Sequence, residues 1–512
     1  MTDTLARLLA QISDPSAPAL GGEGRDWMDH AGLAALAART RTALHAAGIG
    51  RGDRVAIVLP NGPEMAATFL AVAQTAVTAP LNPAYRREEF DFYLSDLQAR
   101  AIILAQGATG PALEAARAQG LAILRLSPDN GPAGSFTLQS ETSASPADPS
   151  DPGPEDTALI LHTSGTTSRP KIVPLTQANL VASARHIAAT LALTPQDRCL
   201  NVMPLFHIHG LIAAVTSGLG AGGSVWCAPG FDALRFFGWL QAVRPTWYTA
   251  VPAMHQAILS RAPRNAEAIA AAPLRFIRSS SASLPPPVFH KLSETFGVPV
   301  IESYGMTEAT HQMASNPLPP GAQKPGAVGL AAGPAVRIAH EAEDRLLPDA
   351  ETGEVVISGP NVTPGYEGNP EANAKSFFHA EGQRWFRTGD QGSLDADGYL
   401  HLTGRLKEII NRGGEKVSPL EVDAVLSDHP DVAQALTFAL PHPKLGEEVA
   451  AAIVLREGAT ADERAIRDFA AERLAAFKVP RKLVMLDEIP KGATGKLQRI
   501  GLAEKLGLTA DS

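Results

Sequence analysis

Hydrophobic residues in the first third of the chain fall in short unbroken runs, separated by longer segments of helical period. Residues 55–59 (VAIVL) form an apolar run of strand length, and PNGPEMAATFLAVAQTA behind it reads as a turn and a helix. Residues 101–104 (AIIL) form another such run, preceded by the helical pattern REEFDFYLSDLQ. Strands alternating with helices predict βαβ units and a parallel sheet. The same alternation returns after residue 155, with ALILHTS, a helix over 177–191, and strand-like runs near 226 and over 246–251. Between the two blocks, residues 140–156 (SETSASPADPSDPGPED) predict an exposed connection.

From about Pro334 the texture changes. AVRIA, GEVVISG and GYLHLTG alternate with Gly, Asp and Pro turns, which predicts a small β-barrel or sandwich. After Gly404 the signals mix again: SPLEVDAVLSDHP, ALTFAL, AAAIVLR, and an amphipathic helix over 462–475. The expected class is therefore α/β, with a boundary at Arg405. An N-terminal domain, 1–404, holds two doubly wound βαβ subdomains plus the small barrel. A smaller α+β domain, 405–512, follows.

Composition narrows the function classes. Among 512 residues, 44 Lys and Arg stand against 53 Asp and Glu, a net charge of −9. So acidic a chain is not expected to bind nucleic acid over a broad surface, and an anionic ligand must meet local positive charge. Two cysteines, Cys199 and Cys227, make neither a disulfide framework nor a zinc site. The N-terminus lacks the pattern of a secretory leader, and the C-terminus carries no recognisable address. The most apolar stretch, 211–228, is broken by Ser217 and four glycines, so it reads as a buried helix–strand pair or hairpin and no membrane contact is expected. The expectation is a cytoplasmic protein.

The strongest local signal is TSGTTSRPK, 163–171. An apolar strand runs into a hydroxyl-rich loop that ends in Lys171. Small hydroxyls and backbone N–H groups can wrap phosphate oxygens, and a lysine can neutralise them. It is not a Walker A loop. Four further motifs follow in order: SYGMTEAT (303–310), RTGD (387–390), GRLKEIINRGGEKVSP (404–419) and PKGATGK (490–496). Together the five resemble the acyl-adenylate-forming superfamily of acyl-CoA synthetases, luciferases and peptide-synthetase adenylation domains. The resemblance spans nearly the whole chain.

The resemblance implies a two-step reaction on ATP, Mg²⁺ and coenzyme A, with a C-terminal domain that swings between two poses. It implies nucleotide contacts from Thr163, Ser164, Gly165, Thr166, Thr167, Lys171, Ala282, Glu302, Ser303, Tyr304, Gly305, Thr307, Asp390, Arg405 and Lys496. Lys496, Thr307, Glu308 and Lys171 are the expected catalytic set. Glu308 suits Mg²⁺, a hard cation that takes oxygen ligands beside triphosphate. Asp390, expected in a turn between strands, suits the ribose hydroxyls, and Tyr304 suits stacking on adenine. Lys407 takes the hinge position, and Gly413 and Gly414 the CoA side. One departure stands out: Ile172 follows Lys171 where many relatives have Gly, and a β-branched residue does not easily adopt φ > 0.

The acyl pocket is expected from PLFHIHG, SSSASL and TEATHQM, which supply His207, His209, Ser281 and His311. A fatty or aryl acid calls for an apolar pocket. Imidazoles with a hydroxyl suit a small, polar, negatively charged acid instead. The surrounding segments, among them WYTAVPAMHQ and RFIRSSSASL, resemble the branch of the superfamily whose acid is oxalate. Rival readings are a malonate or other short-acid CoA ligase and a carrier-protein-loading adenylating enzyme. A nucleotide sensor without catalysis is disfavoured by the presence of Glu308 and Lys496. A luciferase-type oxygenase fits a polar pocket poorly.

Overall fold

The computed structural model describes residues 3–163, 170–490 and 497–508. Two mixed sheets carry the first two thirds of the chain. The first has seven strands, in the order Phe136–Ser140, Ala122–Pro128, Ala101–Ala105, Arg54–Val58, Val77–Pro80, Thr157–Thr163, Lys171–Thr176. Its five inner strands are parallel, and each end strand is antiparallel to its neighbour. The three central strands, Ala101–Ala105, Arg54–Val58 and Val77–Pro80, are almost wholly buried, which is why they appear as unbroken apolar runs rather than alternating ones.

The second sheet has nine strands. Its parallel centre runs Val300–Met306, Phe276–Ser279, Trp247–Ala250, Arg198–Asn201, Ser224–Cys227, Pro18–Gly21. Trp247, Tyr248, Phe276 and Ile277 are completely buried, each contributing about 1.5–3 kcal/mol of burial free energy. The apolar stretch 211–228 is a helix–strand pair: a wide π-helical segment, His209–Thr216, runs through Ser217–Gly220 into Ser224–Cys227. The connection over 140–156 is mostly exposed and largely without regular structure.

The segment expected as a small barrel is a five-stranded antiparallel sheet. Its long strand, Gln383–Leu394, pairs with Gly353–Ser358 on one edge. On the other edge it pairs with Phe377–Ala380 along its first half and Leu400–Arg405 along its second. With the far edge shared by two short strands, the hydrogen-bond ladder among the described residues stays open instead of closing on itself.

The chain leaves this sheet at Arg405 and enters a third mixed sheet at Ile410–Arg412. That sheet packs on Pro419–Ser427 and Glu463–Ala471, the latter helix ending four residues before the expected 475. Ser418 caps the first helix by accepting from Glu421 N at 3.2 Å and donates to Thr403 O. Lys416 Nζ reaches Glu341 Oε2 at 2.7 Å, a second tie back to the larger part of the chain.

Candidate active site

The site lies where parallel strands of the second sheet end, as is usual for open α/β sheets. Thr249 stands at the end of one strand, Ser279 and Ser281 at the next, and Ser303 to Met306 at the third. The motif 307–312 is held from behind by local chemistry. Thr176 and Asn179 form a reciprocal cap, with Thr176 N donating to Asn179 Oδ1 at 2.9 Å and Asn179 N to Thr176 Oγ1 at 3.1 Å. Asn179 Nδ2 then donates to Pro360 O at 2.7 Å and so fixes the following segment. From that segment Thr363 N donates to Glu308 O at 2.8 Å, and Asn361 Nδ2 to Ala309 O at 2.8 Å. Thr310 Oγ1 donates back to Asn361 O at 2.7 Å.

Glu308 is buried, and its Oε1 accepts from the Tyr366 hydroxyl at 2.8 Å. Lys171 Nζ lies 4.2 Å from the centroid of the same ring. Burial lowers the Lys171 ammonium from its usual range, Glu308 opposes that shift, and Lys407 adds to it. The Lys407 ammonium is thus near enough to act on Lys171. Thr307 begins a short 3₁₀ turn, Thr307–Ala309, beside this group. Among the described residues no group of three His, Cys, Asp or Glu side chains forms a metal cage. A lone buried carboxylate fits Mg²⁺, which usually keeps few protein ligands and takes phosphate oxygens and waters for the rest.

Asp390 does not sit in a turn. It lies inside Gln383–Leu394, beside one register shift on each edge of that strand. Gly389, at φ +75°, supplies the backbone turn that the irregularity requires, and its N–H donates to Glu354 Oε1 at 2.9 Å. Asp390 is buried. It accepts from the Tyr304 hydroxyl and stands 3.2 Å from Arg405 Nε. Burial raises its carboxyl pKa, and Arg405 and Tyr304 oppose that. Tyr304 is therefore tied by its oxygen to the ribose candidate, with its side chain half-buried. Neighbouring Gly305 cannot be anything larger, because a Cβ there would stand 2.0 Å from His311 O.

Glu302 is buried. Its Oε1 accepts from Leu284 N at 2.9 Å, and its Oε2 has no partner among the described residues. Ser303 Oγ stands 3.4 Å from Ser279 O, and Ala282 lies exposed at the neighbouring strand end.

Of the expected acid-pocket residues, three come together. His209 Nδ1 lies 2.9 Å from Ser281 Oγ and its Nε2 2.6 Å from Thr249 Oγ1. The His209 and His311 rings stand 5.0 Å apart. Ser281 (φ +72°), Thr310 (φ +50°) and His311 (φ +99°) all hold left-handed backbone, so strain is concentrated at this pocket. His207, two residues before His209, sets its half-buried ring 4.6 Å from Phe206. Residues not anticipated from the sequence are Thr249, Tyr366, Gln312 and above all Arg278. Arg278 sits in a fully buried strand, and its single charge left that strand's apolar pattern unchanged.

Ile172 pairs with His162 as ordinary strand, so no positive φ is needed where relatives carry Gly. Gly413 and Gly414 are the two-residue loop of the hairpin Ile410–Arg412/Glu415–Val417, at φ +60° and +98°. Two positive angles in such a loop favour glycine at both positions whatever else they contact. Thr163 closes its strand opposite Lys171. Ser164, Gly165, Thr166, Thr167 and Lys496 lie outside the described residues.

Comparison with known proteins gives a consistent picture. The model of the AMP-binding enzyme family matches residues 11–367, and that of the AMP-binding enzyme C-terminal domain matches 421–496. An oxalate–CoA ligase of Arabidopsis thaliana is 48% identical over 97% of this chain and 98% of its own. An oxalate–CoA ligase of Saccharomyces cerevisiae is 42% identical over 89% and 87%. The crystal structure of ATP-bound MatB from Rhodopseudomonas palustris superposes with TM-score 0.87 at 31% identity, covering 99% of both chains.

Proposed function

The chain belongs to the AMP-binding enzyme family, and on that premise we propose that it joins oxalate to coenzyme A. It is an acid–thiol ligase that uses ATP with Mg²⁺ and takes CoA as co-substrate. One oxalate carboxylate attacks the α-phosphate of ATP, giving oxalyl-adenylate and pyrophosphate. The CoA thiol then attacks the acyl carbon, forming oxalyl-CoA and releasing AMP. The observation that carries the choice of acid is the convergence of His209, Ser281 and His311 at one strand-end pocket. Imidazole and hydroxyl donors suit a carboxylate that stays charged after its twin has reacted.

The residue roles follow from the chemistry each can perform. Asp390, with Tyr304 and Arg405 beside it, accepts from the ribose hydroxyls. Lys171 neutralises phosphate charge, and Thr307 donates to a phosphate oxygen. Glu308, oriented by Tyr366, would hold the magnesium ion, which would neutralise triphosphate charge when bound. Catalysis of the first step is thus positioning plus charge neutralisation. Lys496 adds a cation at the α-phosphate during adenylation.

The pivot between the two poses is the turn after Arg405, whose carbonyl accepts from Glu408 N at 2.8 Å and Ile409 N at 3.0 Å. The moving unit is then 405–512. No helix among the described residues is long and apolar enough to cross a membrane. The unpaired, buried Cys199 and Cys227, with ATP and CoA as substrates, support a cytoplasmic setting.

The test is product identification. With oxalate, ATP, Mg²⁺ and CoA, mass spectrometry should find oxalyl-CoA with matching AMP and pyrophosphate. ATP consumption without a CoA thioester would refute the assignment.

A further inference from the structure

Arg278 lies in the strand Phe276–Ser279, paired in register with Thr249 on one side and Ile301 on the other. It is completely buried. Its Nη2 stands 3.5 Å from His311 Nδ1 and 3.3 Å from Gln312 Oε1. Its Nε and Nη1 have no hydrogen-bond partner, and no carboxylate acts on it, among the described residues. Burial pushes the guanidinium down to about 9, so it stays charged at neutral pH. A buried cation without a counterion is costly, and proteins rarely keep one unless an anion arrives to complete it.

The neighbours say where that anion belongs. A guanidinium only donates, so His311 Nδ1 opposite it is the accepting nitrogen, and the ring proton sits on Nε2. The His311 ring lies 5.0 Å from His209, which contacts Ser281 and Thr249. Arg278, His311, His209 and Ser281 are therefore one connected group, with its fixed positive charge at the buried end.

We infer that Arg278 is the specificity-determining positioning residue of the acid pocket. It fixes the tautomer of His311 and supplies the fixed charge that the second carboxylate of a short dicarboxylate offsets. This rests on the oxalate reading above. It goes further by stating that a dianion is preferred over a monoanion of the same shape, and through which residue.

Oxamate, which carries a neutral amide in place of one carboxylate, is the matched probe. Pyrophosphate release is followed with oxalate and with oxamate for the wild-type full chain, Arg278→Lys and Arg278→Gln. In the wild type, kcat/KM for oxalate should exceed that for oxamate by about 10-fold or more. Arg278→Gln should lose about 10-fold or more with oxalate, at least several-fold more than it loses with oxamate, and leave the KM for ATP within about two-fold. Arg278→Lys should recover part of the oxalate activity.

Equal losses on both acids in Arg278→Gln, or oxalate use at the wild-type rate, would overturn the inference. If Arg278→Gln does not fold, the wild-type ratio decides, and equal use of the two acids overturns it. A wild-type protein inactive on oxalate overturns the functional reading, and this inference with it. Activity on oxalate with indifference to oxamate overturns this inference alone.

Discussion

Tyr366 donates its hydroxyl to Glu308 Oε1 at 2.8 Å and also carries Lys171 over its ring, 4.2 Å from the centroid. One side chain thus orients the carboxylate proposed for magnesium and shields the ammonium proposed for phosphate. Tyr366→Phe keeps the ring and removes the hydrogen bond. A bond to a charged group is worth about 1.5–3 kcal/mol, so the KM for Mg-ATP should rise by about 10-fold or more. Tyr366→Ala should do more, since the cation–π contact adds about 0.5–2 kcal/mol. Steady-state kinetics at varied Mg-ATP checks both, and an unchanged KM in Tyr366→Phe would separate Tyr366 from the site.

This pair also shows what a sequence conceals. The two βαβ blocks were legible because buried parallel strands write themselves as apolar runs such as 55–59 and 101–104. The family was legible from the order of its motifs. Tyr366 was not, because it lies far along the chain and is brought to Glu308 by the segment that Asn179 anchors. Asp390 was expected in a turn between strands, whereas it lies within a strand whose irregularity Gly389 serves. Arg278 was hidden by its neighbours, since one charge within FIRS does not alter a strand's apolar pattern. The barrel was expected from turn spacing, which does not reveal that two short strands share one edge.

Asp390 accepts from Tyr304 and faces Arg405. Asp390→Ala removes the acceptor for the ribose hydroxyls and should weaken ATP and AMP alike, by about 10-fold or more, with the fold intact. Calorimetric titration with AMP, alongside a circular dichroism spectrum, measures this. Normal AMP affinity in the variant would refute the ribose assignment.

Glu302 sets a pH dependence of stability. Burial pushes its carboxyl up to about 8, against an unfolded value of about 4.3. A raised carboxyl favours the folded state while protonated. That contribution is complete below about 4.3 and is lost as pH rises through about 8. The Tm of the wild type relative to Glu302→Gln should therefore fall between about pH 4.3 and 8 and level off above that. A Tm difference constant across that range would contradict the buried, half-satisfied placement of Glu302.

Lys496 is proposed to act only in adenylation, where charge develops at the α-phosphate. Preorganised contacts of this kind are worth about 10²–10³ in rate. Lys496→Ala should lose at least that in adenylate formation, yet convert supplied oxalyl-adenylate and CoA at close to the wild-type rate. Lys407→Pro, which restricts φ at the proposed pivot, should impair thioester formation more than adenylation. Single-turnover kinetics of each half-reaction decides, and equal damage to both steps in Lys496→Ala would end the two-pose assignment.

The central claim is that a polar, cation-backed pocket selects oxalate. It is tested most directly by kcat/KM for pyrophosphate release with oxalate, malonate, acetate, octanoate and coumarate, at fixed ATP, Mg²⁺ and CoA. Oxalate should rank first, with octanoate and coumarate poorest because their apolar bodies meet His209, His311 and Ser281. A higher kcat/KM for malonate or octanoate than for oxalate would contradict the account.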